Sequence, residues 1–122
     1  MVIRIVLAAV AAFVISSIWY VAFGGLLARL NPAYAGKAAR WMPVAEVARS
    51  LVLALVVAIG CDRLDLRGTG ALVAAAVVAW VGFPVVLLAG AVLHERVPLR
   101  LAAVHAGDWL LKLVAVALIV GR

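Results

Sequence analysis

Long runs of apolar residues, separated by short polar stretches, divide the chain into four segments. The runs cover about residues 5–28, 44–61, 71–93 and 101–120, and the first and third carry no charge. A helix that crosses a bilayer needs about 20 predominantly apolar residues. The pattern therefore predicts four transmembrane helices joined by short connections.

Helix-breaking residues mark the connections. Asn31-Pro32 should end the first helix, because proline lacks an N–H group and restricts the residue before it. A short helix on the membrane surface is predicted over residues 33–41, and a polar turn is predicted over residues 62–70. Pro84 lies inside the third run, where it should kink the helix.

The fold class follows from these segments. Alternation of apolar and polar residues at period two is absent, which argues against the strands of a membrane barrel. Four helices with short loops pack as an antiparallel bundle. We therefore predict an all-α polytopic membrane protein whose residues 1–122 form one transmembrane domain. Small residues such as Ala12 and Ser16, four positions apart, would let the helices approach closely.

Composition strengthens the membrane interpretation. Of the 122 residues, 70% are hydrophobic and 13% are charged, whereas soluble domains are about half apolar and about a quarter charged. The composition excludes a soluble globular domain, a disordered chain and a nucleic-acid-binding module. The net charge of +6 comes mainly from basic residues at segment ends, where anionic lipid headgroups explain them. The predicted partner is thus the lipid bilayer of the plasma (inner) membrane.

Both histidines and both glutamates fall at one end of the predicted bundle, together with Arg49 and Asp108. Because the spans alternate in direction, the end of the first, the start of the second, the end of the third and the start of the fourth share one side. His105, Asp108 and Lys112 also stand at i, i+3 and i+7, on one helix face. A charge near mid-bilayer costs about 2.5–3.5 kcal/mol, so this face should meet the bundle interior, a subunit interface or a water-filled cavity. The predicted polar path or binding site comprises Glu46, Arg49, His105, Asp108, Lys112, Trp19 and Tyr20.

Structural interpretations compete with this site. Glu46 and Arg49 are three apart and could simply form an ion pair at a helix start. Lys112 could extend along its stem with Asp108 as its partner. The Trp19-Tyr20 pair could belong to an aromatic belt at the membrane surface.

Metal binding is a narrower hypothesis. His94, Glu95 and His105 are acceptable ligands for zinc or iron, but their spacing matches no strong metal motif. No cofactor is predicted, and a bound metal ion stays a minor alternative.

Two short motifs point to a family. The stretch Ser-Ile-Trp-Tyr-Val-Ala-Phe-Gly at residues 17–24, and His94-Glu95 before a last helix with His105, form a distinctive pattern. They resemble the domain-of-unknown-function 1761 family of small bacterial four-helix membrane proteins. The resemblance implies the fold and the membrane location, and it implies no activity.

The leading functional hypothesis is transport or permeation of a small solute or ion through the polar cluster. A four-helix protomer has little interior room, so a homo-oligomer is predicted. One alternative is a membrane-embedded enzyme, in one version metal-dependent, that acts on a lipophilic substrate beside His94, Glu95 and His105. Another is an accessory subunit that assembles a larger membrane complex.

Charge counts near the span ends favour one orientation. The positive-inside rule counts Lys and Arg residues in short loops. The side opposite the termini holds five such residues, with Arg49 at the membrane edge: Arg29, Lys37, Arg40, Arg96 and Arg100. The side of the termini holds four: Arg4, Arg63, Arg67 and Arg122. We predict that both termini lie outside, although so small a margin also permits insertion in both orientations.

Overall fold

Helices make up most of the chain that the computed structural model describes, residues 1–36 and 39–122. They are α1 (Val2–Ala22), α2 (Gly24–Leu30), α3 (Met42–Arg63), α4 (Thr69–Trp80), α5 (Val86–Glu95) and α6 (Leu99–Val120). A π-helical turn, Val81–Val85, joins α4 to α5. Four spans, namely α1, α3, α4–α5 and α6, are long and apolar enough to cross a membrane. The predicted all-α architecture is confirmed.

The helix boundaries differ from the prediction in the first hairpin. The helix predicted over residues 5–28 is two helices that meet at Phe23, just before Gly24-Gly25. Glycine pairs are common sites of helix breaks because they weaken the helix. The surface helix predicted over residues 33–41 is not seen in its described part, where a single 3₁₀ turn, Pro32–Tyr34, follows Asn31. Lys37, which the charge count for orientation includes, lies outside the described residues, as does Ala38.

The irregularity predicted at Pro84 takes the form of the π-helical turn. Proline cannot donate to the carbonyl four residues earlier, and its ring crowds that carbonyl. The wider turn over Val81–Val85 accommodates this residue inside the third span.

Helix α6 lies at the centre of the bundle. It packs against α1, α3, α4 and α5, and 39% of its most apolar stretch is buried, against at most 22% for the other spans. The arrangement is antiparallel. Met1 shares one end with Asp62 at the end of α3 and Gly121 just after α6.

Small side chains let the helices approach closely. The contact surfaces of α1, α3 and α6 are built mostly from alanines and other small or branched residues: Ala8, Ala9, Ala12, Ala54, Ala58, Cys61, Leu113, Val116 and Ala117. Lipid tails are as apolar as these side chains, so packing contacts rather than hydrophobic burial hold such helices together. The outer faces instead carry large exposed residues such as Val10, Val14 and Ile18 on α1.

The end of the bundle that carries both termini has ordinary surface contacts. In the turn between α3 and α4, Arg67 forms an ion pair with Asp65 at 2.9 Å. Arg122 donates a hydrogen bond of 2.8 Å to Thr69 Oγ1. The more unusual polar contacts lie at the other end.

Candidate functional site

A cavity of about 660 Å³ lies between α1, α3 and α6 at the end where α1 finishes. This volume is within the range of small-molecule sites, about 300–1,000 Å³. Residues from three spans and from the segment after α2 form its wall: Phe13, Ser16, Ser17, Tyr20, Asn31, Ala33, Tyr34, Gly36, Met42, Glu46, Arg49, His105, Asp108, Trp109 and Lys112. The structure thus brings the polar residues predicted on α1, α3 and α6 to one cavity, with the exception of Trp19.

A buried ion pair forms part of this wall. Asp108 and Lys112, one turn apart on α6, are joined by a 2.9 Å contact between Nζ and Oδ2. Asp108 is 1% exposed and Lys112 is 7% exposed. The hydroxyl of Ser16, on α1, donates to Oδ1 of Asp108 at 2.7 Å, and the ammonium lies 4.1 Å from the centre of the Trp109 ring. Lys112 is therefore held inside the bundle by a carboxylate and an aromatic ring.

Two tyrosines hold the imidazole of His105. The hydroxyl of Tyr20 lies 2.5 Å from Nδ1, and the hydroxyl of Tyr34 lies 3.2 Å from Nε2. A neutral imidazole has one donor and one acceptor, so one tyrosine donates to the ring and the other accepts from it. A tyrosine hydroxyl is protonated at neutral pH at its ordinary pKa, and burial raises the pKa of the Tyr34 phenol further.

Glu46 and Arg49 form the charged part of the cavity mouth. Nη1 of Arg49 lies 2.7 Å from Oε1 of Glu46, and their side chains are 60% and 34% exposed. The two residues therefore form an ion pair near the start of α3 and also line the cavity. Because the pair is exposed, its contribution to stability should be small.

Two tryptophans fix the position of α6 on either side of His105. The indole N–H of Trp19 donates to the carbonyl of Val104 at 2.9 Å, and that of Trp80 donates to the carbonyl of Ala106 at 2.8 Å. A Cβ atom at Gly107 would lie 2.5 Å from Cζ2 of Trp19, so the close approach of this ring depends on glycine. Trp19 therefore packs on α6, beside the cavity rather than in its wall.

The three residues proposed for a metal site are not brought together. His94 and Glu95 are exposed at the end of α5. Both ring nitrogens of His105 face tyrosine hydroxyls. Within residues 1–36 and 39–122, no group of three or more His, Cys, Asp and Glu side chains is placed to hold a metal ion.

Sequence reasoning missed three residues of the site. Ser16 stands four residues before Tyr20 on α1, and this spacing could have placed both on one face. Trp109 is adjacent to Asp108 but was not considered as a partner for Lys112. Tyr34 gave no sequence signal, because its approach to His105 depends on how the 3₁₀ turn directs the chain after α2.

Comparison with known proteins identifies the family. The family model described as "Protein of unknown function (DUF1761)" matches residues 3–121, and the chain belongs to this family. No curated protein and no solved structure matches the chain. The resemblance found in the Trp-Tyr and His-Glu motifs is confirmed, and the description of the family names no activity.

Proposed function

We propose that the protein transports a small polar solute or ion, or lets it permeate, through the cavity between α1, α3 and α6. The observation that carries this proposal is the buried pair of Asp108 and Lys112 in the cavity wall. Placing charges inside a membrane span is unfavourable. Ionisable residues in such positions usually mark solute paths, ion paths or proton relays.

The cavity reaches only part of the way along one protomer. Toward the end that carries the termini, the helices pack through small core residues such as Ala12, Ala58 and Val116. A solute that crosses the membrane through this site therefore needs movement of the helices or a path completed by a second copy. We accordingly propose a homo-oligomer as the working form.

Flux into proteoliposomes tests the proposal. Stopped-flow light scattering would follow neutral solutes of graded size, and a trapped pH dye would follow protons. The double variant Asp108→Leu/Lys112→Met removes both charges at similar volume, whereas Asp65→Asn/Arg67→Gln removes an exposed pair at the opposite end. We expect faster flux than in protein-free liposomes for at least one permeant, loss of it in the first variant and retention in the second.

Absence of flux would leave only the alternative functions. Flux equal to that of protein-free liposomes for every permeant would reject transport and permeation. The membrane-embedded enzyme and the accessory subunit would then remain as hypotheses.

We also propose that the protein lies in the plasma (inner) membrane with both termini outside. The proposed orientation rests on the excess of Lys and Arg residues in the loops at the cavity end, five against four. It would open the cavity to the cytoplasm. A pair of C-terminal reporter fusions, one active only in the cytoplasm and one only outside it, tests the orientation. Signal from the cytoplasmic reporter alone would show that the termini lie inside, contrary to the proposal. Equal signals from both reporters would indicate insertion in both orientations.

A further inference from the structure

We propose that the ion taken by this site is the proton, which reaches the carboxylate of Asp108 along Tyr34, His105 and Tyr20. This inference rests on the function proposed above and narrows it to one ion. It assigns the two tyrosines as relay groups and the aspartate as the proton-binding group.

The first part of the path is a run of hydrogen bonds that begins at the protein surface. Tyr34 is 41% exposed, and its hydroxyl lies 3.2 Å from Nε2 of His105. The other ring nitrogen lies 2.5 Å from the hydroxyl of Tyr20. An imidazole with a hydroxyl on each nitrogen can accept a proton on one side and release one on the other.

The second part leads from Tyr20 to the buried pair. Tyr20 and Ser16 are one turn apart on α1, and both line the cavity. The hydroxyl of Ser16 is hydrogen-bonded to Asp108 at 2.7 Å. Each water molecule occupies about 30 Å³ of liquid, so a cavity of about 660 Å³ has room for water between the tyrosine and the carboxylate.

The surroundings of Asp108 disfavour ions other than a proton. One carboxylate oxygen faces the ammonium of Lys112 and the other faces the hydroxyl of Ser16. A metal cation would need several oxygen ligands and would lie beside this ammonium, whereas an anion would lie beside the carboxylate. A proton needs no additional space. Its binding removes the charge partner of Lys112, which costs free energy, so Asp108 holds the proton transiently and releases it again. In the protonated state the Trp109 ring still faces the ammonium of Lys112.

The transfers balance as follows for one proton. A hydronium ion at the mouth gives a proton to the Tyr34 oxygen and becomes water, while the Tyr34 hydroxyl proton passes to Nε2 of His105. The proton on Nδ1 passes to the Tyr20 oxygen, and the Tyr20 hydroxyl proton moves through cavity water to Asp108. The imidazole ends in its other tautomer, and the hydroxyls and ring must reset before the next transfer.

Other charged groups face this path and will influence it. Lys112 lies on the same helix as Asp108, and Glu46 and Arg49 reach the cavity from α3. The titratable groups from α1 and from the turn after α2 are the two relay tyrosines. Among the described residues of the cavity wall, α4 and α5 contribute none.

Time-resolved infrared spectroscopy on the full chain in lipid nanodiscs tests the path. A laser pulse releases protons from a caged compound, and the carbonyl stretch of protonated Asp108 is identified by its loss in Asp108→Asn. Tyr20→Phe keeps the ring and removes the hydroxyl. The matched control Ser17→Ala removes another hydroxyl of the cavity wall, one that donates to the carbonyl of Phe13.

We expect Tyr20→Phe to slow the appearance of the Asp108 band by about a hundredfold, the low end of what a positioned proton-transfer group contributes. Tyr34→Phe, which changes a more exposed residue and should fold normally, should also slow it. Ser17→Ala should behave like the wild-type protein. The final amplitude of the band should be similar in all three variants, because Asp108 itself is unchanged.

Two results would overturn the proposal. Wild-type rates in both tyrosine variants would show that protons reach Asp108 without the relay. No Asp108 band in the wild-type protein across the pH range where carboxyl groups titrate would remove the proton-binding site. Neither measurement involves flux across a membrane, so this proposal and the transport proposal can fail separately.

Discussion

The buried pair of Asp108 and Lys112 predicts that removing one charge is far more harmful than removing both. Asp108→Asn keeps the shape of the side chain but leaves the ammonium of Lys112 without its carboxylate partner. Breaking a buried pair in this way destabilises proteins by about 3–5 kcal/mol, whereas replacing both partners by apolar residues is often neutral.

The surroundings of Lys112 determine how large the destabilisation by Asp108→Asn should be. The Lys112 side chain is 9% exposed and that of Asp108 is 2% exposed, so little water can replace the lost partner. The Trp109 ring remains below the ammonium and can retain about 0.5–2 kcal/mol. We therefore expect Asp108→Asn to reduce the free energy of unfolding by about 2–4 kcal/mol. Asp108→Leu/Lys112→Met should lie within about 1 kcal/mol of the wild-type protein.

Unfolding of the purified protein in mild detergent compares Asp108→Asn with the wild-type protein. The single variants Asp108→Leu and Lys112→Met, together with the double variant, measure the coupling between the two residues. Asp65→Asn is the control, because it removes an exposed charge at the opposite end and should change stability by less than about 0.5 kcal/mol. An Asp108→Asn protein as stable as this control would refute the reasoning. Lys112 would then reach water along its own stem, as the snorkelling interpretation holds.

Two further predictions concern the contacts that hold α6 in position. Gly107→Ala should destabilise the protein by about 1–3 kcal/mol in thermal unfolding, because the added Cβ would collide with the Trp19 ring; Gly90→Ala, where nothing lies within 4 Å, should cause no loss. Trp80→Phe removes the donor to the Ala106 carbonyl and should reduce the free energy of unfolding by about 0.5–1.5 kcal/mol. A Gly107→Ala protein as stable as Gly90→Ala would show that the indole moves aside freely, and an unchanged Trp80→Phe protein would show that its hydrogen bond contributes nothing.

The four spans could be predicted from the sequence because the length of an apolar run can be read from consecutive residues, without knowledge of tertiary contacts. The break at Phe23 was missed, since the apolar run continues through Gly24-Gly25 without any change in hydrophobicity. A membrane helix can tolerate glycine, so the sequence did not distinguish one long helix from two. Pro84 was the stronger signal, because proline cannot make the regular backbone hydrogen bond.

The candidate site could be predicted only in part. Helical periodicity placed His105, Asp108 and Lys112 on one face, and the alternating direction of the spans brought Glu46 to the same end. Periodicity does not reveal how far each helix is rotated about its axis. For that reason Trp19, which packs on α6, was grouped with Tyr20, which lines the cavity.

The pairing of polar groups in the cavity wall limits what can bind there. Within residues 1–36 and 39–122, every buried side-chain nitrogen and oxygen has a hydrogen-bond partner. A ligand that enters must therefore replace an existing partner, because leaving a buried polar group unpaired costs about 1–3 kcal/mol, and more for a charged group. A solute without donors or acceptors would gain little from this wall. A proton, or a small solute with both donors and acceptors, could exchange partners with Asp108 and His105 and leave few groups unpaired. The site should thus select by hydrogen-bonding capacity more than by size.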